Sequence, residues 1–100
     1  MKSIMQEEDD YNCYICGTPA NYVDGALEEH HIFGGTANKK KSEQHGLKVK
    51  LHAFKCHRLG PEAVHKNKKV SLVLMAAAQK RFEETHTREE FRKEFGKNRL

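Results

Sequence analysis

Three cysteines and seven histidines in 100 residues are the side chains of this chain best suited to hold a metal or move a proton. Their spacing sorts them into groups. Cys13-Tyr14-Ile15-Cys16-Gly17 reads as a tight turn with two thiols facing one point and a glycine free to take positive φ. His52 and Cys56 are four residues apart, so one helical turn aims both at a single ion. Together Cys13, Cys16, His52 and Cys56 make the ligand set of a closed tetrahedral zinc site. A thioredoxin-like redox use of the first pair would need a βαβ context, which the pattern lacks.

The stretch Glu29-His30-His31-Ile32-Phe33-Gly34-Gly35 holds the second group. Neighbouring side chains on a strand point to opposite faces, so the two histidines have different jobs. His30 can bind a metal while His31 acts on a water, since an unperturbed imidazole with a pKa of about 6.5 is a base at neutral pH. His30, His57 and His65 supply three imidazoles and no thiolate, a donor set that leaves positions on a divalent ion open. Open positions are what metal-assisted hydrolysis needs. Phosphodiester cleavage requires a deprotonated water, a stabilised phosphate charge and a neutralised leaving oxygen. A metal serves the last two steps and His31, by position, the first. The plainer roles for His57 and His65 are helix-end or loop histidines, or a zinc ligand in place of His52.

The composition frames this chemistry. With 37% hydrophobic residues and no tryptophan, a single domain of this length has a small core and needs a staple. Three cysteines cannot all pair within one chain, and no apolar run is long enough for a signal peptide or a membrane span. The expectation is a cytoplasmic, non-membrane protein with reduced thiols, in which the usual staple is a metal. The net charge of +4 hides an asymmetry: residues 39–69 hold ten Lys or Arg against only Glu43 and Glu62. Such a concentrated basic window is the footprint expected for a polyphosphate backbone, with Lys39, Lys40, Lys41, Lys48, Lys50, Lys66 and Lys68 as candidate DNA contacts. A solvated lysine-rich face is the bland alternative.

The elements that must position these residues follow from the local patterns. Residues 1–11 read as a flexible acidic lead-in ending in Glu7-Glu8-Asp9-Asp10, and residues 12–100 as one domain. A short strand is expected over residues 25–33, then an irregular loop over residues 34–44 carrying Gly34-Gly35, Asn38 and Lys39-Lys40-Lys41. Leu47, Val49 and Leu51 alternate with Lys48 and Lys50, which predicts a second strand and a hairpin with its lysines turned outward. Gly60-Pro61 breaks the turn after His57, and Asn67 is the candidate N-cap of the main helix. That helix spans residues 70–84, with Leu72, Met75, Ala76, Gln79 and Phe82 on one stripe and Val73, Leu74 and Ala78 widening it. Thr87 and Glu90 form a capping-box pattern for a last helix with Phe91 and Phe95 one turn apart and Gly96 as its stop, while His86 reads as a surface residue.

Cys13-x-x-Cys16, the strand ending His30-His31-Ile32-Phe33-Gly34-Gly35, the Cys56-His57 turn and the later Val64-His65 resemble the HNH endonucleases, the ββα-metal or His-Me finger family. The likeness is to small phage-type members, including a RecA-dependent nuclease subgroup, and covers roughly residues 12–67. The resemblance implies an α+β fold, a small ββα-metal domain with a zinc-stapled hairpin and C-terminal helices. It also implies a divalent-metal-dependent DNA endonuclease, with His30 and His57 on the catalytic metal (Mg²⁺, Mn²⁺, Ni²⁺ or Zn²⁺), His31 as general base, and DNA as partner. Structural Zn²⁺ then falls to Cys13, Cys16, Cys56 and, by substitution, His52. The sequence departs from the family in two places. The second Cys-x-x-Cys is one residue longer here and has a histidine for a cysteine, and no central asparagine precedes Leu51 except Asn38, early in the loop. His45 or a backbone carbonyl is then expected to orient the base, and Asn67 is a late ligand or simply an N-cap. Two other readings stand beside the nuclease: a zinc-stabilised nucleic-acid-binding module, and a nuclease active only with a recombination or phage DNA-processing partner.

Overall fold

Leu47, Val49 and Leu51 face the interior and are almost wholly buried, because alternation with lysine gives strand β2 (Lys48–His52) one apolar face. Its partner β1 (Leu27–His31) runs antiparallel to it, with His31 opposite Lys48 and Leu27 opposite His52. The structure, a computed structural model, describes all of residues 1–100. It is a small mixed assembly of helices around this two-stranded sheet, in keeping with the α+β class. No helix is long and apolar enough to cross a membrane.

The connection between the strands differs from the expected irregular loop. Residues Thr36–His45 form helix α1, with Gly46 closing it in the left-handed conformation at φ 70°. A side chain at residue 46 would also strike the backbone carbonyl of Lys2, so only glycine fits. The helix is polar on nearly every side, which is why no apolar period announced it. It is pinned by one residue, the buried Ser42. The Ser42 hydroxyl donates to the Phe33 carbonyl (3.0 Å) and accepts from the Phe33 N–H (3.1 Å), so α1 lies down over the strand that leads into it.

After β2 the chain enters a wide π-helical turn, Ala53–Arg58. Helix α2 (Lys68–Phe82) follows, capped by Asn67, whose side-chain oxygen accepts from the N–H groups of Lys69 and Val70. The inward stripe of α2 is Leu74, Ala78 and Phe82, with Gln79 beside it. The expected stripe through Leu72 is rotated: Leu72 and Val73 are exposed. Gln79 is buried without cost because its amide donates to Glu83 and Asn98 and its carbonyl accepts from the Arg99 N–H. Helix α3 (Arg88–Phe95) has the full reciprocal capping box of Thr87 and Glu90, and Gly96 ends it. Its Phe91 and Phe95 pack on Phe33 and Phe82. His86 is half-buried, its ring stacked on Phe82 at 4.2 Å.

The acidic lead-in is not a frayed tail. Ile4 N–H donates to the Gly46 carbonyl at 2.9 Å, the Ser3 hydroxyl bonds the Lys48 carbonyl, and the Gln6 side chain accepts from the Lys50 N–H at 2.7 Å. These bonds cover the free edge of β2, an exposed row of donors and acceptors that would otherwise invite another chain. Truncating Ser42 to alanine leaves both polar groups of the buried Phe33 backbone unpaired. Ser42→Ala is therefore expected to lower stability by about 1–3 kcal/mol, read from urea unfolding, with bound zinc unchanged.

Candidate metal centres and the histidine pair

Cys13 enters a turn closed by its own backbone: the Cys13 N–H donates to the Thr18 carbonyl (2.9 Å) and the Gly17 N–H to the Cys13 carbonyl (2.8 Å). Gly17 takes φ 75° to allow this. The turn sets Cys16 Sγ 3.2 Å from Nδ1 of His52, the last residue of β2. Cys56 arrives from the π-helical turn, and the ligand atoms of Cys13, Cys16, His52 and Cys56 all lie within 4.8 Å of one another. Cys13, His52 and Cys56 are buried. His52 has its other nitrogen committed, since Nε2–H donates to the Pro19 carbonyl at 2.8 Å. That bond fixes the tautomer whose Nδ1 lone pair faces the sulfurs, the usual outer support of a ligating histidine.

Electrostatics at the four-residue cluster point the same way. Burial resists ionisation of Cys16, but hydrogen bonds from Thr18, Cys13 and Cys56 outweigh it and lower its pKa to about 6. Burial pushes Cys56 up to about 12, with Cys13 and Cys16 adding to the rise. One thiolate is stabilised by neighbours that must then keep their protons. A cation removes this conflict, because thiolates are the ligand form and a divalent ion holds several together. The cluster is thus a set of residues able to hold a structural metal such as zinc.

His57 follows Cys56 in sequence and faces a second group. Its Nε2 is 3.0 Å from Nε2 of His65, and the His30 ring centroid lies 5.1 Å from that of His57 and 5.2 Å from that of His65. The segment before α2 folds back on the π-helical turn to deliver His65: Val64 N–H donates to the Cys56 carbonyl and His65 N–H to the His57 carbonyl. Ligand atoms of His30, His57 and His65 lie within 4.8 Å of one another. Burial holds His30 down to about 4, reinforced by its histidine neighbours, and His65 is lowered by burial and by His57 and Arg58. Both are therefore neutral imidazoles at pH 7, the form that binds metals. Sequence patterns gave no warning of Glu28, whose Oε1 accepts from Nδ1–H of His57 at 2.8 Å and from Nε–H of Arg58 at 3.0 Å. It leaves the His57 Nε2 lone pair free to face the group, the arrangement that orients a ligating histidine. The only sequence hint was its place one strand period before His30.

His31 turns away from that trio. Its Nε2–H donates to Glu43 Oε1 at 2.9 Å, and Glu29 Oε1 is 3.7 Å away. Lys48 places its ammonium 2.7 Å from Glu43 Oε2 and 3.5 Å from Glu29 Oε2. The Lys48 and His31 contacts hold the Glu43 carboxyl well below the usual carboxylate range. Glu29, His31 and Glu43 also bring ligand atoms together, but the Lys48 ammonium occupies their carboxylates, so the group is an ion-pair network. His30, His31, His57, His65, Lys39 and Arg58 share one open cleft of about 430 Å³.

Several expected residues sit elsewhere. His45 is remote from His31: its ring packs on Phe82 and Nε2 lies 3.4 Å from Glu94, so it does not orient His31. Asn67 spends its side-chain oxygen on the α2 cap, which leaves it no part in either cluster. Lys48 and Lys50 are not turned outward. Lys48 is mostly buried against Glu43, and Lys50 bonds the carbonyls of Glu8 and Asp10 and covers the Tyr11 ring. Lys41 donates to the Glu94 carbonyl at 2.6 Å, while Lys39, Lys40, Lys66 and Lys68 are exposed. The chain matches no protein-family model, no curated protein and no solved structure.

The four-residue cluster yields a direct test. Structural zinc carries about 10–16 kcal/mol of apparent free energy in small domains, more than a core of this size supplies. Cys16→Ser is expected to lose one zinc per chain by mass spectrometry and its cooperative thermal unfolding together.

Proposed function

We propose that this chain is a divalent-metal-dependent DNA endonuclease of the HNH type, with a structural zinc at Cys13, Cys16, His52 and Cys56. The single observation that carries the reading is the division of labour at consecutive residues. His30 joins His57 and His65 in one group of imidazoles, while His31, sharing the same cleft, is held by a carboxylate. Hydrolysis by a metal and a separate base needs that separation. The order of the motif also supports the family: a cysteine turn, a strand ending in two histidines, a second strand, and a turn carrying Cys56-His57.

His30, His57 and His65 would hold the catalytic ion, and Glu28 keeps His57 in the tautomer that presents Nε2. A divalent ion bound there would supply charge stabilisation at the phosphate and at the leaving oxygen. His31 takes a proton from the attacking water through its unbonded nitrogen. The water oxygen's electron pair forms the new P–O bond, the bond from phosphorus to the leaving ester oxygen breaks, and that oxygen takes a proton from solvent. General-base catalysis of this kind contributes about 10²- to 10⁴-fold in rate. Lys39 and Arg58 line the same cleft and suit the substrate's phosphates, and exposed Lys40, Lys66 and Lys68 extend the positive surface around it. A zinc-stapled DNA-binding module shares the zinc cluster and the lysines but gives the histidine trio no role.

His31 separates the two readings. Single-turnover plasmid cleavage with Mg²⁺, Mn²⁺, Ni²⁺ or Zn²⁺, alongside DNA binding by the same preparations, is the measurement. His31→Ala is expected to lose on the order of 10²-fold or more in cleavage while keeping zinc, fold and DNA affinity. His30→Ala should instead lose binding of the second metal. Cleavage by His31→Ala at the parent rate would remove His31 from the mechanism.

A further inference from the structure

The reading of His31 as the base leaves open what holds it, because the asparagine that the HNH pattern places between the strands has no counterpart at this position. The hydrogen bond of the His31 ring goes to Glu43 and not to Asn38, and His45 packs against Phe82 and Glu94. The group at His31 comes instead from α1. Glu43 stands in the last turn of a helix that the buried Ser42, its neighbour in sequence, pins to Phe33. Its Oε1 accepts from His31 Nε2–H at 2.9 Å, while Oε2 accepts from the Lys48 ammonium at 2.7 Å and from the Met1 amino group at 2.9 Å. Lys48 is the residue directly opposite His31 across the sheet, and its side chain is only 11% exposed. Three elements therefore converge on one hydrogen bond.

We propose that Glu43 is the positioning residue of His31, a carboxylate on α1 that, fixed by Lys48, fills the role of the absent asparagine. The proposal rests on the nuclease reading for its consequence and on this geometry for its content. A carboxylate accepts and cannot donate, so it locks the proton on Nε2 and leaves Nδ1 as the nitrogen with a free lone pair. When Nδ1 takes the proton of the attacking water, the water O–H electrons stay on oxygen to form the bond to phosphorus. The imidazolium that results carries its charge next to the Glu43 carboxylate. Glu43 takes no proton at any point; it orients the ring and stabilises its charged form, the logic by which a buried carboxylate supports a catalytic histidine. Lys48 prevents the two nearby carboxylates, Glu29 and Glu43, from repelling each other, since it contacts both.

Two readouts on the full zinc-loaded chain test this, one of which needs no cleavage. Nitrogen-15 NMR of the imidazoles should give His31 an unprotonated Nδ1 and a slowly exchanging Nε2–H that disappears in Glu43→Ala. In single-turnover cleavage, Glu43→Gln should fall on the order of 10²-fold in the rate at saturating DNA with unchanged DNA affinity and zinc content. An amide can turn its NH₂ toward Nε2 and force the proton onto Nδ1. Glu43→Asp, which keeps the charge, should recover part of the loss and guards against a variant that merely misfolds. If Glu43→Gln cleaves like the parent while His31→Ala does not, the positioning claim fails and the base reading stands. If both cleave like the parent, or the parent does not cleave, the nuclease reading fails and takes the proposed consequence with it. A proton on Nδ1 of His31, or an Nε2–H signal unchanged in Glu43→Ala, overturns the proposal whatever the cleavage rate.

Discussion

Three thiols and an imidazole lie within 4.8 Å of one another where the cysteine turn, the end of β2 and the π-helical turn meet. Such a group is not stable as three adjacent thiolates, and as thiols it offers little more than weak polar contacts. A cation changes that balance, and its effect extends well beyond four side chains. Cys13 anchors the cysteine turn, His52 ends β2, and Cys56 stands in the π-helical turn; one ion would tie all three segments together. The apolar core is one cluster of 13 buried residues that includes Cys13 and Cys56 together with Val49, Leu51, Phe33, Phe82, Phe91 and Phe95. Cys13 and Cys56 thus belong both to the apolar core and to the candidate ligand cluster.

The π-helical turn connects the structural cluster to the histidine trio. Adjacent side chains on the turn point in different directions, so Cys56 and His57 reach separate groups of ligands. Wide turns of this kind are frequent at functional sites. The strand does the same for His30 and His31, one toward His57 and His65 and the other toward Glu43. Two pairs of adjacent residues, one on a strand and one on a turn, thus distribute four ligand or base candidates with no long loop between them. Lys48 and Glu43 then close the far side of His31, where α1 crosses the sheet.

The local chemistry was legible in the sequence wherever it depended on spacing or end signals. Cys13 and Cys16, the alternation around Val49, the Asn67 cap, the Thr87 and Glu90 box and the Gly96 stop all rest on short-range rules, and the structure has each of them. What was not legible depends on contacts across the fold. Helix α1 has no apolar stripe, so only its end at Gly46 and its run of good helix formers from Lys39 to Gln44 hinted at it. Its placement depends on the Ser42 hydroxyl bonded to the Phe33 backbone and on the contacts of Lys41 and His45 with Glu94 and Phe82. The stripe of α2 is not fixed by the sequence, because Leu72 and Leu74 are equally apolar and only the packing of the folded core decides which is covered. Lys48 and Lys50 were read as outward cations because alternation reports the face, not the partner. Glu43 and Glu29 supply those partners for Lys48, and the carbonyls of Glu8 and Asp10, far back along the chain, supply them for Lys50.

Crystals of the protein grown with zinc and with a second transition metal, with each ion located by anomalous scattering at its own absorption edge, test the central claim most directly. The account predicts zinc bound tetrahedrally by Cys13, Cys16, His52 and Cys56, and a second ion bound by His30, His57 and His65 with at least one position open to solvent. A three-histidine group that stays empty at saturating metal, or a single ion shared between Cys56 and His57, would contradict it.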